Sequence, residues 1–301
     1  MTEEQQIIPE RKFTKFYNNN YKKILIIPII ILIISLSYLV YFYSKTGDIM
    51  LKDSSLTGGT TITLIGDIDS KVLESSLKSQ FSDLNLRKIT DLRTGKPIST
   101  IIETSAKPEE IKPVLENILG YELTDKNSSI EFTGPSLSKS FYKQLIVALL
   151  ISFILMSFVV FILFRTFILS MAVIFSVFSD IVIPLALVNF LGIEISVAGI
   201  AAFLMLIGYS VDTDILLTTR AIRKKGGTIN TRLYGAFKTG VFMTSTALIA
   251  VIPAFFIVSS LPDSFRQIFL ILALGLFADL INTWMTNMSI IKWYCEKRRV
   301  E

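Results

Sequence analysis

Histidine is absent from this chain, and cysteine occurs once, at Cys295. A single thiol excludes an internal disulfide, and without histidine there is no Cys/His set to hold a structural zinc. Proton chemistry, if the chain performs any, must run on carboxylates and water, because the side chain that titrates nearest neutrality is missing. Charge is scarce too, at 18% of residues against 51% hydrophobic ones. With a mean hydropathy of +0.57, the chain is too oily for soluble helices that each need a polar face, so lipid is the expected solvent for much of it. No phosphate-cradling loop and no nucleophile paired with a base stands out. The expectation is a protein that is not an enzyme and carries no cofactor or metal.

What is plentiful is apolar length. A bilayer core about 30 Å thick takes roughly 20 apolar residues in a helix, and six runs qualify: Ile24–Tyr43, Leu145–Phe164, Phe167–Leu191, Ile195–Thr219, Gly240–Ser260 and Ile268–Ile291. The first follows a basic stretch, as a secretory signal would. Its apolar core is too long for one, however, and the exit Tyr43-Ser44-Lys45-Thr46 offers no small-x-small cleavage pattern, so a retained anchor is expected. The resulting plan is a tail (1–23), a first span (24–43), a polar segment (44–140), a five-helix bundle (141–291) and a second tail (292–301).

Lys and Arg resist crossing a membrane, so their distribution predicts orientation. Five precede the first span, six lie in Arg220–Lys238 and four follow the last span, whereas Gly192–Glu194 has none. Both termini are therefore expected in the cytoplasm and segment 44–140 outside. Basic residues at membrane exits meet anionic lipid headgroups, which accounts for the net charge of +5 without nucleic acid.

Segment 44–140 reads as a small α+β domain. Thr60–Ile65 is β-branched and strand-like, Ser70–Phe81 has helical spacing, and Leu84–Leu92 and Pro97–Thr104 are strands joined at Arg93-Thr94-Gly95-Lys96. Lys107–Leu119 is a helix ended by Gly120, and Ser129–Thr133 is a last strand. The order β-α-β-β-α-β suggests a ferredoxin-like sandwich, a fold that serves many functions.

The informative residues are the acids inside the spans, since a charged Asp at the bilayer centre costs about 3 kcal/mol or more. Asp180 lies in the third span, Asp212 and Asp214 in the fourth, and Asp279 in the sixth. At 100° per residue Asp212 and Asp214 point about 200° apart, and Gly208 shares the face of Asp212. Ser210, Thr213, Thr244, Thr246, Asn282, Thr283 and Asn287 supply hydroxyls and amides nearby. Such a ladder suits proton or ion passage. Alternatively, the acids hydrogen-bond neighbouring helices and hold the bundle together.

The stretch Ile207-Gly208-Tyr209-Ser210-Val211-Asp212-Thr213-Asp214 through Arg220 resembles the SecF side of the SecD/SecF family of protein-export membrane proteins. Thr57-Gly58-Gly59-Thr60, Gly134-Pro135-Ser136, Phe178-Ser179-Asp180, Lys238-Thr239-Gly240 and Ala278-Asp279-Leu280 with Asn282-Thr283-Trp284 are similar to the family too. Bacterial members read Gly-Tyr-Ser-Val-Asn-Asp-Thr in the fourth span, so Thr213 stands at their acid position, and the Asp-Thr-Asp form looks like the archaeal branch. The resemblance implies a resistance-nodulation-division type of architecture and a SecD partner with a related six-helix half. It also implies work beside a SecY-type channel on translocating polypeptide, driven by the proton-motive force. The one-residue shift turns the side chain about 100°, so the bacterial acid's role does not carry over directly to either fourth-span Asp; position in the spans makes Asp180, Asp212 and Asp279 the leading ion-path residues, with Asp214, near the interface by its depth, a further candidate. A lipid or drug half-transporter of the same superfamily and a passive translocon assembly factor are the alternatives.

Overall fold

The computed structural model describes residues 12–68, 70–81, 84–90, 96–222, 227–257 and 263–298. Among them, six helices are long and apolar enough to cross a membrane. The hydropathy runs locate their centres and misjudge their ends. The first is preceded by α1 (Lys12–Ile24), which leads into α2 (Ile26–Thr46). The others are α6 (Pro135–Phe164), α7 (Phe167–Phe190), α8 (Val197–Ile222), α9 (Ile229–Ile257) and α10 (Asp263–Ile281), the last continuing through a π-helical turn (Asn282–Asn287) into α11 (Met288–Arg298). Residues 220–238, expected as a basic loop, are mostly helix: Arg220 lies on α8, and Arg232 and Lys238 on α9, while 223–226 fall outside the described residues.

Where they are described, the tails expected at 1–23 and 292–301 are helical: 12–23 lie on α1 and 292–298 on α11. Tyr17 and Tyr21, one turn apart on α1, are buried against α11. The Tyr17 hydroxyl is 2.9 Å from Ser289 Oγ, and Tyr21 donates to Glu296 Oε2 at 2.7 Å. Between them the Lys292 stem is 2% exposed. Its ammonium lies 5.1 Å from the Tyr21 ring centroid and donates to Asn18, so a charged head is satisfied while its stem fills the core. Lys22 and Lys23 occupy the exposed face of α1.

Within the bundle, about half of the windows of α7, α8 and the α10–α11 helix is buried, whereas α6 buries 6% of its window. Leu150, Ile154 and Phe158 on α6 are exposed large apolar residues at helical spacing, the signature of a lipid-facing stripe.

Between α2 and α6 lies the sheet domain. After the short α3 (Ser54–Thr57) come β1 (Gly59–Ile65), α4 (Ser70–Lys78), β2 (Asn85–Thr90), β3 (Pro97–Thr104), α5 (Pro108–Leu119) and β4 (Ser128–Thr133). The turn at 91–95 lies outside the described residues. The four strands pair antiparallel in the order β2-β3-β1-β4. Alternation along β1 and β3 sends Ile62, Leu64 and Ile102 into a core with Leu73 and Leu77 of α4 and Ile111 and Leu115 of α5, while Thr61, Thr63, Ile101 and Glu103 take the other face. Helix α5 starts with Pro108 and two acids and stops at Gly120 in the left-handed conformation, φ 74°.

Two motifs that are distant in sequence meet at the domain's root. Gly58 and Gly59 adopt φ of 87° and 141°; a Cβ on Gly58 would lie 2.5 Å from Pro135 Cα, and one on Gly59 would lie 2.4 Å from the Thr104 carbonyl oxygen. Both neighbours are backbone and cannot yield. Gly59→Ala should therefore destabilise the sheet domain by about 2 kcal/mol or more, read as a lower unfolding midpoint for that domain by hydrogen exchange.

Candidate functional site

Asp180, Asp214 and Asp279 come together in the centre of the bundle, each at most 1% exposed. Asp180, on α7, accepts from Ser210 Oγ of α8 at 2.5 Å and from Asn282 Nδ2 at 2.6 Å. Ser210 also lies against Asp279. Asp279 accepts from Thr283 Oγ1 at 3.0 Å, with Thr244 of α9 at 3.4 Å. The same Thr283 hydroxyl is 3.0 Å from Asp214 Oδ1, which also accepts from Asn287 Nδ2 at 2.6 Å. Acid and hydroxyl thus alternate along one line: Asp180, Ser210, Asp279, Thr283, Asp214.

Local helix geometry builds this line. Asp279, Thr283 and Asn287 follow one another at four-residue spacing, one turn apart, and Ser210 and Asp214 do the same on α8. The π-helical turn holds Asn282, Thr283 and Asn287; its wider winding lets Asn282 reach Asp180 while Thr283 and Asn287 reach Asp214. Such turns often sit at functional sites. Asp214 Oδ2, Asn282 Oδ1 and Asn287 Oδ1 are buried without a hydrogen-bond partner among the described residues. No salt bridge to Lys or Arg is formed by any of the three acids among the described residues.

The fourth-span expectation is corrected. Asp214, expected near the interface, is fully buried, whereas Asp212, expected in the path, is exposed on a stripe with Met205, Gly208 and Tyr209. The 200° separation holds, and the inward face is the one carrying Phe203, Ile207, Ser210, Asp214 and Leu217. Thr213 is buried beside Gly240 and bonds none of the acids. Thr246 is exposed and bonds the Met243 carbonyl. Arg220 donates to the Gly235 carbonyl and to Thr239, tying α8 to α9. Ser176 of α7, not anticipated from sequence, lies against Asp214.

The family model for the C-terminal region of the protein-export membrane proteins SecD and SecF matches residues 115–297, the stretch that carries this line of acids. The chain belongs to the SecD/SecF family. Its relatives include the protein-export membrane protein SecF of Methanolacinia petrolearia, 37% identical over 92% of this chain and 94% of that one. SecF of Methanothermobacter thermautotrophicus is 37% identical over 93% and 94%, and SecF of Pyrococcus furiosus is 34% identical over 92% of each. The fold matches the crystal structure of SecDF, a translocon-associated membrane protein from Thermus, with a TM-score of 0.75 over 97% of this chain at 16% identity. A super-membrane-facing form of SecDF matches with a TM-score of 0.60. This chain spans 39% of each SecDF chain. The protein is thus a multi-pass membrane protein of the SecD/SecF family.

Proposed function

We propose that this chain is the SecF half of a two-subunit export assembly, catalyses no covalent reaction, and passes protons along its central acids to drive movement during polypeptide translocation. The missing three-fifths of the SecDF chain would be a separate SecD-type subunit, and a SecY-type channel would lie alongside. We read both termini as cytoplasmic and residues 44–140 as a ferredoxin-like domain outside, from the basic residues at the helix ends and the observed strand order.

One observation carries the ion reading: three buried carboxylates separated by single hydroxyls. A hydroxyl has one proton to donate and a lone pair to accept, so Thr283 can donate to Asp214 while taking a proton from Asp279, and Ser210 can do the same between Asp279 and Asp180. Ionised carboxylates lacking a cationic partner are costly in a low-dielectric interior, which makes the line a place where arriving protons are held. Moving one charge through 100 mV releases about 2.3 kcal/mol, enough to bias an element with two positions of similar energy.

Thr283→Val keeps the shape and removes the link. It should lower potential-dependent export several-fold, with Thr283→Ser close to the parent, measured as secretion of a reporter at fixed membrane potential. Equal export by all three chains would remove the relay. Affinity purification in mild detergent tests the assembly: a second six-span protein should accompany the chain, and its absence would count against the two-subunit reading.

A further inference from the structure

The sheet domain meets the bundle at a polar joint built at the ends of the apolar spans, separate from the central acids. The backbone before the sheet is stitched to the turn between α7 and α8: Ile195 N–H donates to the Leu51 carbonyl at 2.7 Å and Asp53 N–H to the Ile195 carbonyl at 3.2 Å. The sheet reaches the same turn through side chains. Asn85 Nδ2 donates to Glu194 Oε1 at 2.8 Å, and Arg87 Nη2 lies 2.5 Å from Glu103 Oε1 and 3.5 Å from Glu194 Oε2. Gln267 of α10 braces the turn, donating to the Glu194 carbonyl and accepting from Ser196 N–H at 2.7 Å. These groups enclose a polar cavity of about 50 Å³ that Asp53 and Glu131 also line.

Charge there is unbalanced. Four carboxylates, Asp53 from the start of α3, Glu103 from β3, Glu131 from β4 and Glu194 from the turn, line the cavity with one cation, Arg87 from β2. Lys52, next to Asp53 in the chain, is held by Asp48 at 2.7 Å. Glu103 and Glu194 converge on the same guanidinium, so one of them is left in excess.

We propose that this joint is a second proton-binding site, in which a proton on Glu103, facing Glu194 beside Arg87, clamps the sheet domain onto the bundle. With the proton present, the Arg87–Glu103–Glu194 group is neutral and its carboxyls can hydrogen-bond one another. Without it, a negative charge is buried between two layers, and the sheet gains by swinging away on its stitched linker. Burial, reinforced by Glu194 and opposed by Arg87, raises Glu103 from 4.5 to about 7. Burial also raises Asp53 from 3.8 to about 6, against the Ser55 hydroxyl. In a released domain both acids return to water and to their ordinary values. The docked form therefore binds more protons, so clamping is complete below the solvated values and is lost as pH rises through about 6 to 7.

The test is a spin-label distance measurement on the full chain in lipid nanodiscs, with Lys88→Cys on β2, Leu191→Cys beside the turn and Cys295→Ser. At about pH 5 a single short distance is expected. A longer population should grow towards about pH 8.5, with the docked-to-released ratio falling about tenfold per pH unit for one proton inside the window. Glu103→Gln, neutral throughout, should hold the short distance at the alkaline end; should that variant misfold, Glu194→Gln makes the same test from the bundle side. An unchanged distance across the range, or a Gln variant that follows the parent, would overturn the clamp.

Discussion

Asp214→Asn is expected to reduce potential-dependent export to the level seen with the membrane potential collapsed, while the bundle stays folded. The amide has nearly the carboxylate's volume, and its oxygen can still accept from Thr283, now at 3.0 Å from Asp214 Oδ1. What it loses is the ability to take up and release a proton, at the end of a line where nothing stands in for it. Asp180→Asn should behave alike. Asp212→Asn is the informative contrast, because that side chain shares an exposed face with Tyr209, 46% exposed, turned about 200° from Asp214. Secretion of a reporter at fixed potential decides the matter. Loss of export in Asp212→Asn with the parent rate in Asp214→Asn would sink the assignment.

That contrast shows where sequence reasoning reaches its limit. The 100° rotation per residue separates Asp212 from Asp214 unambiguously, but it does not say which faces inward. Depth alone, which set Asp214 near the interface, favoured Asp212, the exposed one. The apolar spacing of Phe203, Ile207 and Leu217 around Ser210 marks the inward face as the one with Asp214. The helix centres were legible because lipid demands long apolar runs. The ends were not, because Tyr17, Tyr21 and Lys292 pack as a core while looking like an interfacial tail. The sheet domain's strands and helices could be read from alternation and from the Gly120 stop. Its joint to the bundle could not, since Arg87, Glu103 and Glu194 are isolated polar residues in three separate segments. The π-helical turn also left no periodic trace, being a local change of winding that puts Asn282, Thr283 and Asn287 within reach of two different acids.

The same turn makes Gly240 a second point of high sensitivity. A Cβ there would lie 2.3 Å from Trp284 Cζ2 and 2.7 Å from Cη2. The indole cannot retreat, because it is 5% exposed and set edge-on to Phe237 with centroids 5.1 Å apart at 81°. Trp284 follows Thr283 directly, so displacing the ring drags the relay hydroxyl with it. Gly240→Ala is expected to destabilise the bundle by about 2–3 kcal/mol through overpacking and to lower export with it. The steric cause predicts its own rescue. Trp284→Phe, a smaller ring, costs stability alone, yet the double variant should recover about 1–2 kcal/mol relative to the sum of the two single changes. Thermal unfolding of the four chains in one detergent gives that coupling directly. Strict additivity would mean that Gly240 is required by something other than the indole, and it would separate the packing of α9 from the placement of Thr283.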